Sequence, residues 1–340
     1  MNKITIGTIA VILSFLLVIQ ISPVTVIGEN ESEPSSNESP ASLYTAPVHD
    51  TEESASIEII RELENGREEN VKRFEMSNGT VMAAQYESPV HYLDNGQWMD
   101  IDNTLSDIPG GEQDDEDGYQ STKNTIQVKF AKKHDAKKLV KMNLGDYQLS
   151  WSFVGAEKSK NTKYTVKNPE KTNDDSDITV LKNITSGVIY EDILEHVDLE
   201  YYIRSTTVKE NIIIKNKLDS YCFQMILRPK KLTPVLRENA VFFENENGES
   251  VFQIPAPFMF DAAGAESSNV KLELTPDSKE KEYVLTVTAD PEWINDENRI
   301  FTERIPHEHL TVAPAGAQPD GRKIEFRQSG HGIRSVCSVR

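Results

Sequence analysis

Cysteine is scarce: the 340 residues hold only Cys222 and Cys337. An exported fold stapled by disulfides needs more, so no structural disulfide is expected and the hydrophobic core must carry the stability. Cys222, in SYCFQMIL, reads as a small apolar strand residue. Positive charge is scarce too, with 36 Lys and Arg against 55 Asp and Glu and a net charge of -19. Binding along a nucleic-acid backbone needs clustered cations that displace counterions. An anionic membrane surface also calls for basic residues. Neither nucleic acid nor a membrane surface is therefore expected as a partner. Catalytic signatures are missing as well: there is no G-x-S-x-G, H-E-x-x-H, G-x-x-x-x-G-K-[ST] or G-x-G-x-x-G. Hence no catalytic, cofactor-binding or metal-ligating residues, no cofactor and no enzyme are expected. His307 and His309 would share a strand face, but one such pair without further ligands is a weak metal signal.

A second long apolar run is also lacking. The only one, Ile4 to Ile21, follows Met1-Asn2-Lys3. A single positive charge, an apolar stretch and small residues at Val26-Ile27-Gly28 are the layout of a secretory signal spanning 1–28, with Glu29 the first mature residue. A run of this length also fits an uncleaved anchor; the small-residue site favours cleavage. The expected location is secreted or cell-surface, without membrane contact after cleavage. Residues 29–56 carry seven acids and no Lys or Arg. With so few large apolar residues they cannot offset their ordering entropy, and a disordered acidic linker is expected.

From Ile57 the pattern becomes that of strands. Asn78-Gly79 and Asn95-Gly96 suit type I′ turns, whose two central residues need positive φ. They predict pairing of Val71–Met76 with Thr80–Tyr86 and of Val90–Leu93 with Gln97–Ile101. Trp98 is expected to pack inward against the first hairpin. Short strand-like runs separated by turn signals continue to about residue 290, with another turn at Asn247-Gly248. Only Ile57–Glu69 hints at a helical period. Asp290-Pro291-Glu292-Trp293 has the cap, first-turn proline and first-turn acid of one helical turn. The predicted fold class is all-β: one or two antiparallel β-sandwich-like domains, divided into 57–123 and 124–301. Glu112 to Asp117 holds five acids in six residues, but its Gly spacing fails the EF-hand loop at both ends. It reads as a solvated surface loop, as does Asn173–Asp177.

Glycoside hydrolysis is the hardest chemistry to exclude, because two carboxylates need no motif. The segment VDLEYYIRSTTVKENIIIK, Val197 to Lys215, contains Asp198, Glu200 and Glu210. Strand parity places Val197, Leu199, Tyr201 and Ile203 on one face of a hairpin, with Val208, Glu210, Ile212 and Ile214 beside them. Asp198 and Glu200 then point the other way, toward Lys and Asn neighbours. The glutamates cannot work as a pair. Glu210 faces the core, where it is expected to accept from backbone or a nearby cation.

The segment VIYEDILEHVDLEYYIRSTTVKENIII resembles part of the N-terminal region of very large secreted Gram-positive proteins. These are wall-associated and polymorphic-toxin proteins that carry DNRLRE-type modules and RHS/YD repeats. PVHYLDNGQWMDIDNTL, YQLSWSF, VFQIPAPFMFDAAGAES and YVLTVTADPEWINDENRIF fit the same pattern in the same order, covering about Glu69 to Phe301. The resemblance implies a non-catalytic structural module, the front of a larger exported protein whose toxin or enzymatic activity lies at the far C-terminus. Its partners would be downstream domains of its own chain or cell-wall components. A carbohydrate- or wall-binding sandwich is the alternative, although Trp98, Trp151 and Trp293 are dispersed; a glycan-active hydrolase is the third reading. Thr302 to Arg340 departs from the pattern. It holds six Lys or Arg against four acids and three of the seven His, and is expected to be an out-of-frame or disordered tail.

Overall fold

A computed structural model describes residues 57–108, 117–160, 162–169, 181–279 and 281–299, and the backbone of 11–17 and 334–336. Its strands form antiparallel sheets, and the two largest face each other as a sandwich. One has eight strands. Val270–Pro276, Tyr283–Ala289, Cys222–Lys230, Tyr147–Phe153, Val140–Leu144, Gln127–Ala131, Gly118–Ser121 and Ser106–Ile108 lie side by side in that order. The other has seven: Lys163–Lys167, Thr185–Leu194, Val197–Arg204, Thr207–Ile214, Val11–Leu17, Phe258–Phe260 and Glu266–Ser267.

Alternation explains the layering. Along Tyr147–Phe153 the side chains of Leu149, Trp151 and Phe153 point into the sandwich, and along the hairpin those of Leu199, Tyr201, Ile203, Val208 and Ile212 meet them. Tyr201 is central: its ring lies 5.7 Å from that of Phe130, 6.0 Å from Trp151 and 6.3 Å from Tyr190. Such tilted and edge-on pairs suit the quadrupoles of aromatic rings. A three-stranded sheet of Thr233–Arg237, Ala240–Glu244 and Ser250–Ile254 adds Val241, Phe243 and Phe252 to the same core. The all-β sandwich expectation holds.

A four-stranded sheet of Ile59–Glu62, Val71–Met76, Val81–Gln85 and Arg334–Val336 forms a second, small core around Phe74, Ala84, Tyr86 and Val90. The strands His91–Asp94 and Gln97–Asp100 form a separate hairpin beside it. Ile57–Glu69 is not helical: Ile59–Glu62 is a strand, and Glu64–Gly66 is one 3-10 turn. The expected division at 123/124 runs through the large sheet, because Ser106–Ile108 and Gly118–Ser121 are laddered onto Gln127–Ala131.

Asn103 joins the parts. Its fully buried amide donates to the carbonyls of Ile184 at 2.8 Å and Ser205 at 2.9 Å, and accepts from Ser121 Oγ and Asn124 Nδ2. Ser205, at the tip of the Val197–Ile214 hairpin, also donates to the Pro89 carbonyl at 2.6 Å.

The turns differ in type from one another. Asn95 and Gly96 have φ of 49° and 81°, as a type I′ turn needs. At Asn78-Gly79 only the glycine is left-handed, and its amide bonds to Met76 O at 2.9 Å. This is the longer loop with a left-handed closing residue, and Gly248 repeats it. Asp290 caps the helix Pro291–Asn295 by accepting from Glu292 N at 2.9 Å.

Val11–Leu17, inside the expected signal, is a strand hydrogen-bonded on both sides. No helix among the described residues is long and apolar enough to cross a membrane. The linker 29–56, the acidic loop 109–116, Asn173–Asp177, Cys337, His307 and His309 lie outside the described residues, as does the tail 302–340 apart from Arg334–Val336.

Candidate functional site

The small sheet and its neighbouring hairpin enclose an ion network at one wall of a recess of about 1120 Å³. Strand Ile59–Glu62 ends with Glu62, and the turn after it brings Arg67 back. Lys72 is the second residue of Val71–Met76, His91 opens His91–Asp94, and Asp100 closes the hairpin. Arg67 Nε donates to Glu62 Oε1 at 2.7 Å and its Nη2 to Asp100 Oδ2 at 2.9 Å. Lys72 Nζ lies 2.5 Å from Asp100 Oδ1 and 3.2 Å from Glu62 Oε2. The fully buried His91 ring donates from Nδ1 to the Glu68 carbonyl at 2.6 Å, since a carbonyl only accepts. Its Nε2 lies 3.5 Å from Asp100 Oδ1 and 3.8 Å from Glu62 Oε1 and has no hydrogen-bond partner among the described residues. Burial works to raise the Glu62 pKa, but His91, Arg67 and Lys72 outweigh it and hold the carboxyl well below the usual carboxylate range.

Glu62, His91 and Asp100 offer ligand atoms within 4.8 Å of one another, close enough to grip a metal ion. The donor set argues otherwise. The Lys72 ammonium already sits between the two carboxylates, and Arg67 bridges them a second time. A divalent cation there would meet two fixed positive charges, while ligand bonds near 2 Å require the ammonium to leave. The cluster is a neutralised ion network that ties three chain segments together.

The second cluster lies between the two large sheets. Glu210 faces Tyr201 across the hairpin and is only 5% exposed. Trp151 Nε1 donates to Glu210 Oε2 at 3.1 Å and to the Tyr201 hydroxyl at 3.0 Å. Glu210 Oε1 has no hydrogen-bond partner among the described residues. Burial pushes the Glu210 pKa up to about 7, against the lowering effect of Tyr201 and Trp151. Burial, and then the Glu210 charge, push the Tyr201 hydroxyl up as well. No substrate reaches this carboxyl without opening the sandwich.

Parity places Glu210 inward as expected, but its partners are an indole and a phenol rather than backbone or a cation. Asp198 and Glu200 do lie on the opposite face. They are covered rather than exposed: Lys215 Nζ reaches Asp198 at 2.6 Å, while Asn211 Nδ2 and the Tyr202 hydroxyl donate to Glu200 at 2.9 and 2.5 Å. Trp98 does not join the small core. Half-buried, it lines the recess beside Tyr92, and its carbonyl accepts from Arg67 at 3.3 Å. Cys222 is an exposed free thiol at its strand's start, where the apolar reading had it inside. The ion network was missed because its five members are spread over 39 residues of ordinary charged sequence.

No family model matches the sequence, and no solved structure matches it. Over 90% of its length the chain is 24% identical to a tRNA(Glu)-specific nuclease WapA of Bacillus subtilis subsp. natto and to a tRNA nuclease WapA of Bacillus subtilis strain 168. In each case it spans 13% of the relative's length. A wall-associated protein of Geobacillus stearothermophilus is 24% identical over 66% of this chain and 82% of its own length. The chain is thus similar to wall-associated proteins of the WapA type. Relatives named as tRNA nucleases overturn two expectations, that no enzyme and no nucleic-acid partner are involved. The acidic charge and the missing catalytic motifs that suggested them describe a span equal to 13% of such a protein, and cannot exclude an activity of the whole.

Proposed function

We propose that this chain is the exported, wall-associated β portion of a larger protein of the WapA type, and that the whole protein acts on tRNA. One observation carries the reading: the similarity spans nearly all of this chain but a small share of each nuclease, and most of a protein named only for the wall. In this reading residues 1–28 direct export and are removed. Residues 57–299 form the rigid β body, and DNRLRE and RHS-type modules follow it. The body's role is to hold the protein at the surface. Cell fractionation with an antibody to this body, joined to N-terminal sequencing, tests it. Wall-fraction protein beginning at Glu29, and tRNA cleavage by the whole protein, are the expected results. Cytoplasmic protein that keeps residues 1–28 would overturn the reading.

A second reading concerns what the body holds. The recess that Trp98 and Tyr92 line also presents Asp94, Gln97 and Asn183. Aromatic faces beside carboxylate and amide groups suit wall glycan. Sedimentation with purified cell wall, lost in Trp98→Ala with folding intact, is the expected result.

A further inference from the structure

The seven-stranded sheet contains a strand, Val11–Leu17, that the exported protein loses if the signal removal proposed above takes place. Val11–Leu17 lies between Thr207–Ile214 and Phe258–Phe260, paired from Val11 opposite Ile214 to Leu17 opposite Val208 on one side, and with Phe258–Phe260 on the other. These seven residues belong to the segment read as the export signal. Once they are gone, two strand edges stand about 9–10 Å apart, two interstrand spacings. Their backbone donors and acceptors face an open slot beside the buried Val208, Ile212, Ile214 and Met259. Unpaired ladder groups next to apolar side chains are costly and invite strand addition.

We infer that this slot is a strand-acceptor site, and that after signal removal it takes an extended strand from the protein's own chain beyond Arg299. The path of the chain is the argument. Val11–Leu17 enters the slot at the Phe260 end, because Ile12 pairs with Phe260 and Ser14 with Phe258. Asp261 follows directly, and its Oδ2 lies 3.4 Å from Arg299 Nη1. The Arg299 guanidinium also stacks 4.7 Å over the Trp293 ring of the short helix, which fixes the chain's exit there. Polypeptide leaving Arg299 therefore starts at the mouth that Val11 uses and can run in the same direction. A strand tethered at the mouth has an effective concentration on the order of millimolar, which favours it over a strand from another molecule. The signal strand is then a temporary occupant, exchanged for a downstream one. The inference rests on signal removal, which N-terminal sequencing tests separately.

Hydrogen exchange on wall-extracted protein beginning at Glu29 tests the exchange of strands. The amides of Val208–Ile214 and Phe258–Phe260 are expected to be protected although Val11–Leu17 is absent. Arg299→Glu, which repels Asp261, is expected to speed their exchange at least about tenfold and to leave Val140–Leu144 in the other sheet unchanged. A Lys-flanked peptide of the Val11–Leu17 sequence should bind this variant and not the wild type. Free exchange of the slot amides in the Glu29 protein would overturn the inference, since nothing then fills the slot. So would protection that Arg299→Glu leaves intact with no peptide bound, because the two edges have then closed on each other. Protection that rises with protein concentration would assign the strand to a second copy and overturn it too. A protein that keeps residues 1–28 fails at sequencing, before the exchange measurement.

Discussion

Trp151 and Glu210 belong to opposite sheets, and the indole donates to the carboxyl at 3.1 Å across the core. The bond makes a buried acid part of the packing. It leaves one carboxyl oxygen without a hydrogen-bond partner among the described residues, and the carboxyl titrates at about 7 against an ordinary 4.5 because burial penalises its charge.

Stability should therefore fall as pH rises. Folded protein holds the Glu210 proton up to about 7, whereas unfolded chain releases it near 4.5. The stabilisation is complete below the lower value and lost through the upper one. At about 1.4 kcal/mol per unit, wild type should lose on the order of 3 kcal/mol over that window relative to Glu210→Gln. Urea midpoints of both proteins between pH 4 and 8 measure it; parallel curves would refute it.

Trp151→Phe keeps most of the ring volume and removes the donor. It should cost about 1–3 kcal/mol, the penalty of an unsatisfied buried group, and raise the Glu210 pKa further. In Glu210→Gln the same substitution should cost less, and a double-mutant cycle on unfolding free energies reads the difference.

Lys72→Ala should destabilise by about 1–3 kcal/mol, because it leaves the partly buried Glu62 with one cation fewer, while the half-exposed Asp100 can turn to water. It also vacates the space between them. Zinc should then recover part of the loss in the variant and do nothing for wild type, and melting temperatures with and without zinc decide this.

Asn103→Ala removes one of the two donors to each of the carbonyls of Ile184 and Ser205, and with them the acceptor of the buried Ser121 hydroxyl. A loss of at least about 2 kcal/mol is expected. Faster hydrogen exchange should be confined to the hairpin tip and the Asn183–Ser186 segment.

Gly187→Ala would set a methyl group 2.5 Å from the Tyr201 carbonyl oxygen and 2.7 Å from the Tyr202 ring. Backbone cannot yield as a flexible side chain can. A loss of roughly 1–3 kcal/mol is expected, measurable as a lower urea midpoint.

What could be read from the sequence followed local rules. Period-two alternation placed Glu210 inward, and Asn95-Gly96 marked its own turn type, because each depends on a few adjacent residues. Asp290-Pro291 announced its helix for the same reason. Asn78-Gly79 misled because the dipeptide also suits a loop in which only the glycine turns left-handed. The cover over Asp198 and Glu200, the place of Trp98 and the ion network depend on which strands become neighbours. Asn103 shows the limit: its amide bonds to Ser205 across 102 residues, and no window of sequence contains both.

The order of strands in the large sheet also sets when it can form. Cys222–Lys230 lies between Tyr147–Phe153 and Tyr283–Ala289, so the middle of the sheet waits for residues made some 130 positions after Phe153. Emerging from a ribosome or a translocation channel, the chain has one edge of Tyr147–Phe153 unpaired until Cys222–Lys230 appears, and that strand's far edge unpaired until Ala289 appears. Such distant pairing is slow and leaves a sticky intermediate. A chaperone at the channel exit has its task defined by that interval: to shield one half-built sheet until its last two strands arrive.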